Sequence, residues 1–263
     1  MLTMIFALTA VITGHGQQTT EEVITIPLTN PGQAGKLKVH NHDGTVTVHG
    51  YDGSDVSIKI ISHPKEDDEA NAHNKSGLKR IRNQNVEVSI TEEDNYVHVS
   101  GNHSRRTDFI IEVPARFNLS VNTHHNGEIE VSNLNGEIEV DAHHGGITVS
   151  NASGSVVADT HHGGIQVSLQ SVDSEKPMAF STYHGDIDVT FPSSLGGEAK
   201  IKTKSGDIYT DFDMALKKQI PVESKKSGKR EIKLAGWTHG TIGSGGPELM
   251  FSSYHGDIII RKG

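Results

Sequence analysis

Apolar and polar residues alternate through most of this 263-residue chain, the period-two pattern of strands with one buried face. In the segment from Leu119 to His124, Leu119, Val121 and Thr123 share one side and Ser120, Asn122 and His124 share the other. The same alternation turns Ile138, Val140 and Ala142 inward, and later Val156, Ala158 and Thr160. After each turn Ile129 and Val131, Ile147 and Val149, or Ile165 and Val167 continue the inner face. A slip of one residue would expose all of them, so register is well specified. Further strands are predicted over 36–40, 45–48, 55–60, 86–90, 96–99 and 109–113, with a turn at His42-Asp-Gly44. Pro114 ends the last of these, having no N–H to give a ladder.

The strands recur as a repeat. Leu119-Ser-Val-Asn-Thr-His-His-Asn-Gly-Glu-Ile-Glu-Val131 returns as Val140-Asp-Ala-His-His-Gly-Gly-Ile-Thr-Val149 and as Ala158-Asp-Thr-His-His-Gly-Gly-Ile-Gln-Val167. Looser copies are Phe180-Ser-Thr-Tyr-His-Gly-Asp-Ile-Asp-Val189, Ile201-Lys-Thr-Lys-Ser-Gly-Asp-Ile-Tyr-Thr210 and Phe251-Ser-Ser-Tyr-His-Gly-Asp-Ile-Ile-Ile260. Turn glycines at 127, 146, 164, 185 and 206, with Gly136 and Gly154 at half-steps, make one coil of about two strands and two turns. That is the size of a solenoid rung. The predicted fold is all-β, a single-stranded parallel β-helix (β-solenoid), over residues 36–263. Residues 64–83 interrupt it as a polar helix or loop, and 216–233 as a basic insertion carrying Lys217, Lys218, Lys225, Lys226, Lys229, Arg230 and Lys233.

Composition narrows the function. Hydrophobic residues make up only 33% and glycines number 28, which suits a thin, elongated core; the abundant Val and Ile argue against disorder. A net charge of −9 speaks against a nucleic-acid partner. With no cysteine there is no disulfide, thiolate metal site, thiol nucleophile or lipidated anchor. Residues 1–16 read as a signal peptide: Leu2–Ile12 is apolar but shorter than the ~20 residues of a membrane span, although no Lys or Arg precedes it. Residues 17–35 follow as a leader. The chain is thus expected to be exported, to the periplasm, cell surface or medium, with no membrane span.

Candidate chemistry centres on the paired histidines. Stacked rungs repeat about every 4.8 Å, placing His124, His143, His161, Tyr183 and Lys204 in one outward column. His125, His144 and His162 lie beside them, with His184 equivalent if a one-residue shorter turn is absorbed. Such a ladder could offer two or three nitrogens to zinc or copper, with Asp141 and Asp159 nearby as ligands or acceptors. The competing reading is a solvated ladder of turn residues copied with the repeat. Tyr183 with His184, and Tyr254 with His255, could stack on sugar rings. The basic insertion could meet acidic glycans or lipid headgroups, or be a solvated loop. Glu128, Glu130, Glu137 and Glu139 repeat along a surface without a cleft between them, and a glycosidase pair needs one. No Gly-x-Ser-x-Gly elbow, phosphate-binding loop or His-Glu-x-x-His helix is present. No catalytic residue is assigned.

Several phrases carry a resemblance: Val46-Thr-Val-His-Gly-Tyr-Asp52, Ile111-Glu-Val-Pro114 leading into Leu119-Ser-Val121, the Thr-x-x-Gly-x-Ile rungs, and Gly243-Ser-Gly-Gly-Pro-Glu-Leu249 with Gly256-Asp-Ile258. In this order, over residues 36–263, they resemble the putative-adhesin family of bacterial domains of unknown function. The resemblance implies an exported β-helix-like domain. The chain departs from that pattern in its paired histidines, where such rungs more often carry Asn or Ser, and in showing no anchor. The expected function is a non-enzymatic exported β-solenoid presenting a surface to a glycan or envelope protein. The alternatives are a metal-binding protein and, less favoured, a polysaccharide-active enzyme.

Overall fold

The computed structural model describes residues 19–63, 88–101, 105–218, 222–226, 229–233 and 236–263. The described residues form strands and turns. In chain order the strands are β1 (Thr20–Pro27), β2 (Gly35–Asp43), β3 (Val46–Tyr51), β4 (Asp55–Ser62), β5 (Ser89–Glu93), β6 (Tyr96–Ser100) and β7 (Thr107–Pro114). There follow β8 (Phe117–His125), β9 (Ile129–Ser132), β10 (Asn135–His144), β11 (Ile147–His162), β12 (Ile165–Val172), β13 (Met178–His184) and β14 (Ile187–Phe191). The last are β15 (Gly197–Ser205), β16 (Ile208–Thr210), β17 (Met214–Leu216), β18 (Val222–Lys226), β19 (Lys229–Lys233), β20 (Thr238–Ile242), β21 (Glu248–His255) and β22 (Ile258–Lys262). The predicted signal peptide, the insertion at 64–83 and the start of the strand predicted at 86–90 lie outside the described residues. No helix among the described residues is long and apolar enough to cross a membrane.

The alternation read from the sequence is the one the fold uses. Along β8 every second residue from Phe117 to Thr123 is buried, and β10 and β13 follow the same rule. These inward residues form two facing stacks. The first runs β6, β2, β8, β10, the second half of β11, β13, β21 and β15, all parallel. Its inner rows include Val39, Val121, Val140, Ala158, Phe180, Phe251 and Ile201 in register. The small Ala158 leaves room beside Phe180, whose ring stacks on Phe251 at 5.2 Å. The second stack runs β7, β3, β9, the first half of β11, β12, β14, β22 and β16. Ile129, Ile147, Ile165, Ile187 and Ile258 form its inner ladder. Fully burying side chains of this kind contributes roughly 1.5–3 kcal/mol each, and the two stacks share one core.

The coils do not stack in chain order. The coil of β2 and β3 sits between that of β6 and β7 and that of β8 and β9. At the other end, the coil of β21 and β22 is inserted between β13–β14 and β15–β16. Sequential stacking, implied by a simple reading of the repeats, is therefore corrected at both ends.

The ends also turn antiparallel: β1 pairs β4 and β4 pairs β7, β5 pairs β6, and β15 pairs β20, which pairs β17. Of these, only β5 and β6 are joined by a tight turn, but all these pairings cover edges that a purely parallel coil would leave open. One consequence is that residues 17–35, expected as a leader, include β1, which pairs along its whole length with β4. The basic insertion contains β18 and β19, an antiparallel pair forming a separate sheet.

Candidate functional site

One corner of the coil repeats the same construction. The last inward residue of the first strand is Thr123, Ala142, Thr160, Thr182, Ser253 or Thr203, and it is followed by two outward residues and a turn glycine, with Asn126 added before the glycine after Thr123. The inward hydroxyls donate to turn carbonyls: Thr160 Oγ1 to Gly145 O at 2.8 Å, Thr182 to Gly163 at 2.9 Å and Thr203 to Gly256 at 3.0 Å. Each turn glycine N–H donates in turn to a carbonyl one coil on. Gly145 reaches His162 O, Gly163 reaches His184 O and Gly185 reaches His255 O, all at 2.8–2.9 Å. Backbone and side chain thus clamp successive corners at one spacing. The two residues before each glycine must then project in the same direction in every coil.

The result is a double column of aromatic rings. In the first, His42 lies 5.5 Å from His124, His124 4.8 Å from His143, and His143 5.2 Å from His161. His161 lies 4.9 Å from Tyr183, and Tyr183 4.5 Å from Tyr254. Lys204 closes the column, its Nζ 4.1 Å above the Tyr254 ring and hydrogen-bonded to that phenol oxygen. In the second column His125, His144, His162, His184 and His255 follow at 4.9–5.8 Å. The columns meet edge to face within each rung, at 4.3–4.7 Å. In two rungs the ring nitrogens also meet: His143 Nδ1 lies 2.8 Å from His144 Nδ1, and His161 Nδ1 2.8 Å from His162 Nδ1.

Crowding shapes the electrostatics. His143 and His162 are held below the ordinary imidazole pKa, first by desolvation and then by the charge that neighbouring rings would carry. Tyr254 is lowered by the hydrogen bond and charge of Lys204. Asp141 lies in the outward row two residues before His143. Asn122 Nδ2 donates to it at 2.8 Å, and partial burial followed by the charge of Asp159 raises its pKa.

Most of the expected ladder is present, with changes. His124, His143, His161 and Tyr183 do form one column, but Tyr254 rather than Lys204 follows Tyr183, because the final coil is inserted there. His184 pairs in direct register with His162, with no shortened turn; the odd turn is the first, where Asn126 (φ 45°) adds a residue. The stacked turn glycines are accordingly Gly145 and Gly163, not Gly146 and Gly164. His42 was missed. Its signal was the turn Asn41-His42-Asp43-Gly44, which has the length and glycine position of Ala142-His143-His144-Gly145.

The geometry also limits the chemistry. Both faces of Tyr183 are covered, by His161 and Tyr254, and Tyr254 lies between Tyr183 and Lys204. Sugar rings therefore cannot stack on these tyrosines, and the ladder presents ring edges instead. Among the described residues no three His, Asp or Glu side chains converge as a closed metal site requires, since stacked rings hold their nitrogens in parallel planes. Glu137 and Glu139 lie on β10 in the first stack, Glu130 on β9 in the second and Glu128 in the turn before it. Glu137 is paired with Lys176, and Lys217 of the basic insertion reaches Glu198 at 2.6 Å.

A model of the Toastrack DUF4097 family matches residues 34–228. Among solved structures, the chain is similar to a "putative cell adhesion protein" from Clostridium sporogenes, with 12% identity and a TM-score of 0.42 over 94% of this chain and 100% of the other. It is also similar to a "putative adhesin" from Bacteroides fragilis, with 13% identity and a TM-score of 0.32 over 95% and 100% of the two chains. No curated protein matches.

Proposed function

The chain belongs to the Toastrack DUF4097 family, and from that membership and its ring-lined corner we propose an exported, non-catalytic solenoid of adhesin type that binds a glycan chain of the cell envelope. The observation that carries this reading is the unbroken ladder from His42 to Tyr254, repeated coil by coil with ring edges outward. Each imidazole edge offers a nitrogen donor or acceptor and each tyrosine a hydroxyl. A glycan presents hydroxyls at its own regular repeat, so one chain laid along the corner meets the same polar contact at each rung. Many weak contacts in a row raise affinity without any deep pocket. Export rests on the apolar segment Leu2–Ile12 and the small residues that follow it.

The test is biolayer interferometry of the protein against immobilised neutral, amino-sugar and uronate polysaccharides. A variant with His124, His143 and His161 changed to Ala is run beside it. Binding to at least one polysaccharide, weakened tenfold or more in the variant, supports the reading. Binding to none, or binding unchanged in the variant, overturns it; retention of a purified envelope protein instead would move the partner to that class.

A further inference from the structure

Two rungs of the ladder have a feature that hydrogen bonding to a glycan does not need. In each, two imidazole nitrogens on adjacent residues lie 2.8 Å apart at an outer corner, His143 Nδ1 with His144 Nδ1 and His161 Nδ1 with His162 Nδ1. His144, His161 and His162 are exposed and His143 is half-buried. The rungs are stacked, with ring centroids 5.2 Å apart in one column and 5.1 Å in the other.

We propose that each of these rungs is a two-nitrogen chelate for a divalent ion of square-planar or tetragonal preference, Cu²⁺ above all, so that the corner takes up two ions one above the other. This is independent of the glycan reading. With metal–nitrogen bonds of about 2.0–2.1 Å, two nitrogens 2.8 Å apart subtend about 84–89° at the ion. That matches the right-angle cis positions of a tetragonal ion with nitrogen and oxygen ligands. A tetrahedral ion such as Zn²⁺ would need the nitrogens about 3.3–3.4 Å apart at the same bond length, and each rung would have to open. Water fills the remaining positions, which explains how a site can exist where no third protein ligand converges.

Proton balance favours binding. In a neutral rung one Nδ1–H donates and the other Nδ1 accepts. The donor ring needs only to move its proton to its own Nε2 through solvent, and both Nδ1 lone pairs are then free for the ion. No net charge has to leave. Each ring must then turn by about 45°, the base angle of a nitrogen–metal–nitrogen triangle with bonds of about 2.0–2.1 Å, so that the two lone pairs point at one ion rather than at each other.

The test separates paired chelation from mere histidine content. The metal-stripped protein is titrated with CuCl₂ at pH 8 by calorimetry, and the loaded form is read by electron paramagnetic resonance. Two double variants are compared, H143N/H144N and H143N/H162N, which lack the same number of histidines. The first removes one rung and leaves the other whole; the second breaks both. The expected result is the loss of one Cu²⁺ per chain in the first and of two in the second, with two-nitrogen tetragonal spectra disappearing in proportion. Equal losses in the two variants, or no loss in either, would overturn the proposal. Zn²⁺ binding as tightly as Cu²⁺ at the same rungs would overturn the argument from the bite angle.

Discussion

Two adjacent glycines in the turn His143-His144-Gly145-Gly146 look interchangeable in the sequence, and the structure makes them opposites. A Cβ on Gly145 would lie 2.5 Å from the Gly127 carbonyl oxygen in the coil below, and the residue has φ +150°. A Cβ on Gly146 meets nothing closer than 3.5 Å, and its backbone is not in the region that favours glycine. In Gly145→Ala the backbone conformation alone costs about 1–3 kcal/mol. Relieving the clash means lifting this corner off its neighbour, which weakens two hydrogen bonds: Gly145 N–H to His162 O, and Thr160 Oγ1 to Gly145 O, both 2.8 Å. Each contributes about 0.5–1.5 kcal/mol, so the total comes to about 2–6 kcal/mol. Gly146→Ala removes only unfolded-chain freedom and should stabilise by about 0.4–1 kcal/mol.

Urea unfolding followed by circular dichroism reads both variants against the parent. A midpoint that falls strongly for Gly145→Ala and holds or rises for Gly146→Ala is the expected pattern. At about 2–4 °C per kcal/mol for a chain of this size, the thermal midpoint of Gly145→Ala should drop by roughly 4–24 °C. A Gly145→Ala variant within about 0.5 kcal/mol of the parent, the level of an ordinary surface substitution, would refute the reasoning. So would equal costs at the two positions, since the corner would then not be clamped through that carbonyl.

Other consequences follow from the same corner. Thr182→Val keeps the shape of a buried side chain but removes its bond to Gly163 O, and should cost about 1–3 kcal/mol in urea unfolding through the carbonyl left without its hydroxyl partner. Lys204→Ala removes the cation that lowers Tyr254, so in an ultraviolet pH titration one of the five tyrosines should shift upward while the others hold. Acidification should destabilise the fold through His143 and His162: their folded pKa values lie below the ordinary imidazole value, so the unfolded chain takes up more protons. Their contribution is intact above the ordinary value near 6.5 and is lost as pH falls from there through their lower folded values. Thermal melts in chelator at pH 8 and pH 5.5 should differ less for H143N/H162N than for the parent. The raised Asp141 acts with the opposite sign and is present in both proteins compared.

Strand faces were legible because alternation of side chains is a local property. From Leu119 to Thr123 the inner and outer residues could be read without any knowledge of the partner strands. The two columns of the site were legible for the same reason, since His-His before a turn glycine fixes direction as well as position. The order of the coils was not, because nothing local distinguishes a neighbour in the chain from a neighbour in the stack. A signal did exist in likeness between distant copies. Phe180-Ser-Thr-Tyr-His-Gly-Asp-Ile187 and Phe251-Ser-Ser-Tyr-His-Gly-Asp-Ile258 are the most similar pair of looser rungs, and they lie against each other. Phe stacks on Phe, Tyr on Tyr and His on His. The Asp257 N–H donates to Asp186 Oδ1 at 2.8 Å. Matched rungs pack best because identical side chains repeat at the rung spacing without a change in volume.

This insertion decides how the site is completed. Without β21 and β22, Tyr183 and His184 would be the last rings of the columns. The chain supplies the missing rings from Tyr254 and His255, after Tyr183 by seventy-one residues. Loop closure over so long a span adds little to the equilibrium cost, since that cost grows only with the logarithm of length. Its effect is on order of assembly, because contacts distant in sequence form late. The consecutive coils from β8 to β14 can stack as they are made, whereas the upper end of the ladder must wait for the last sixteen residues. A partner that needs the full length of the ladder would therefore bind only the completed fold, and a chain stopped before β21 would keep the paired histidine rungs while losing the rings of Tyr254 and His255.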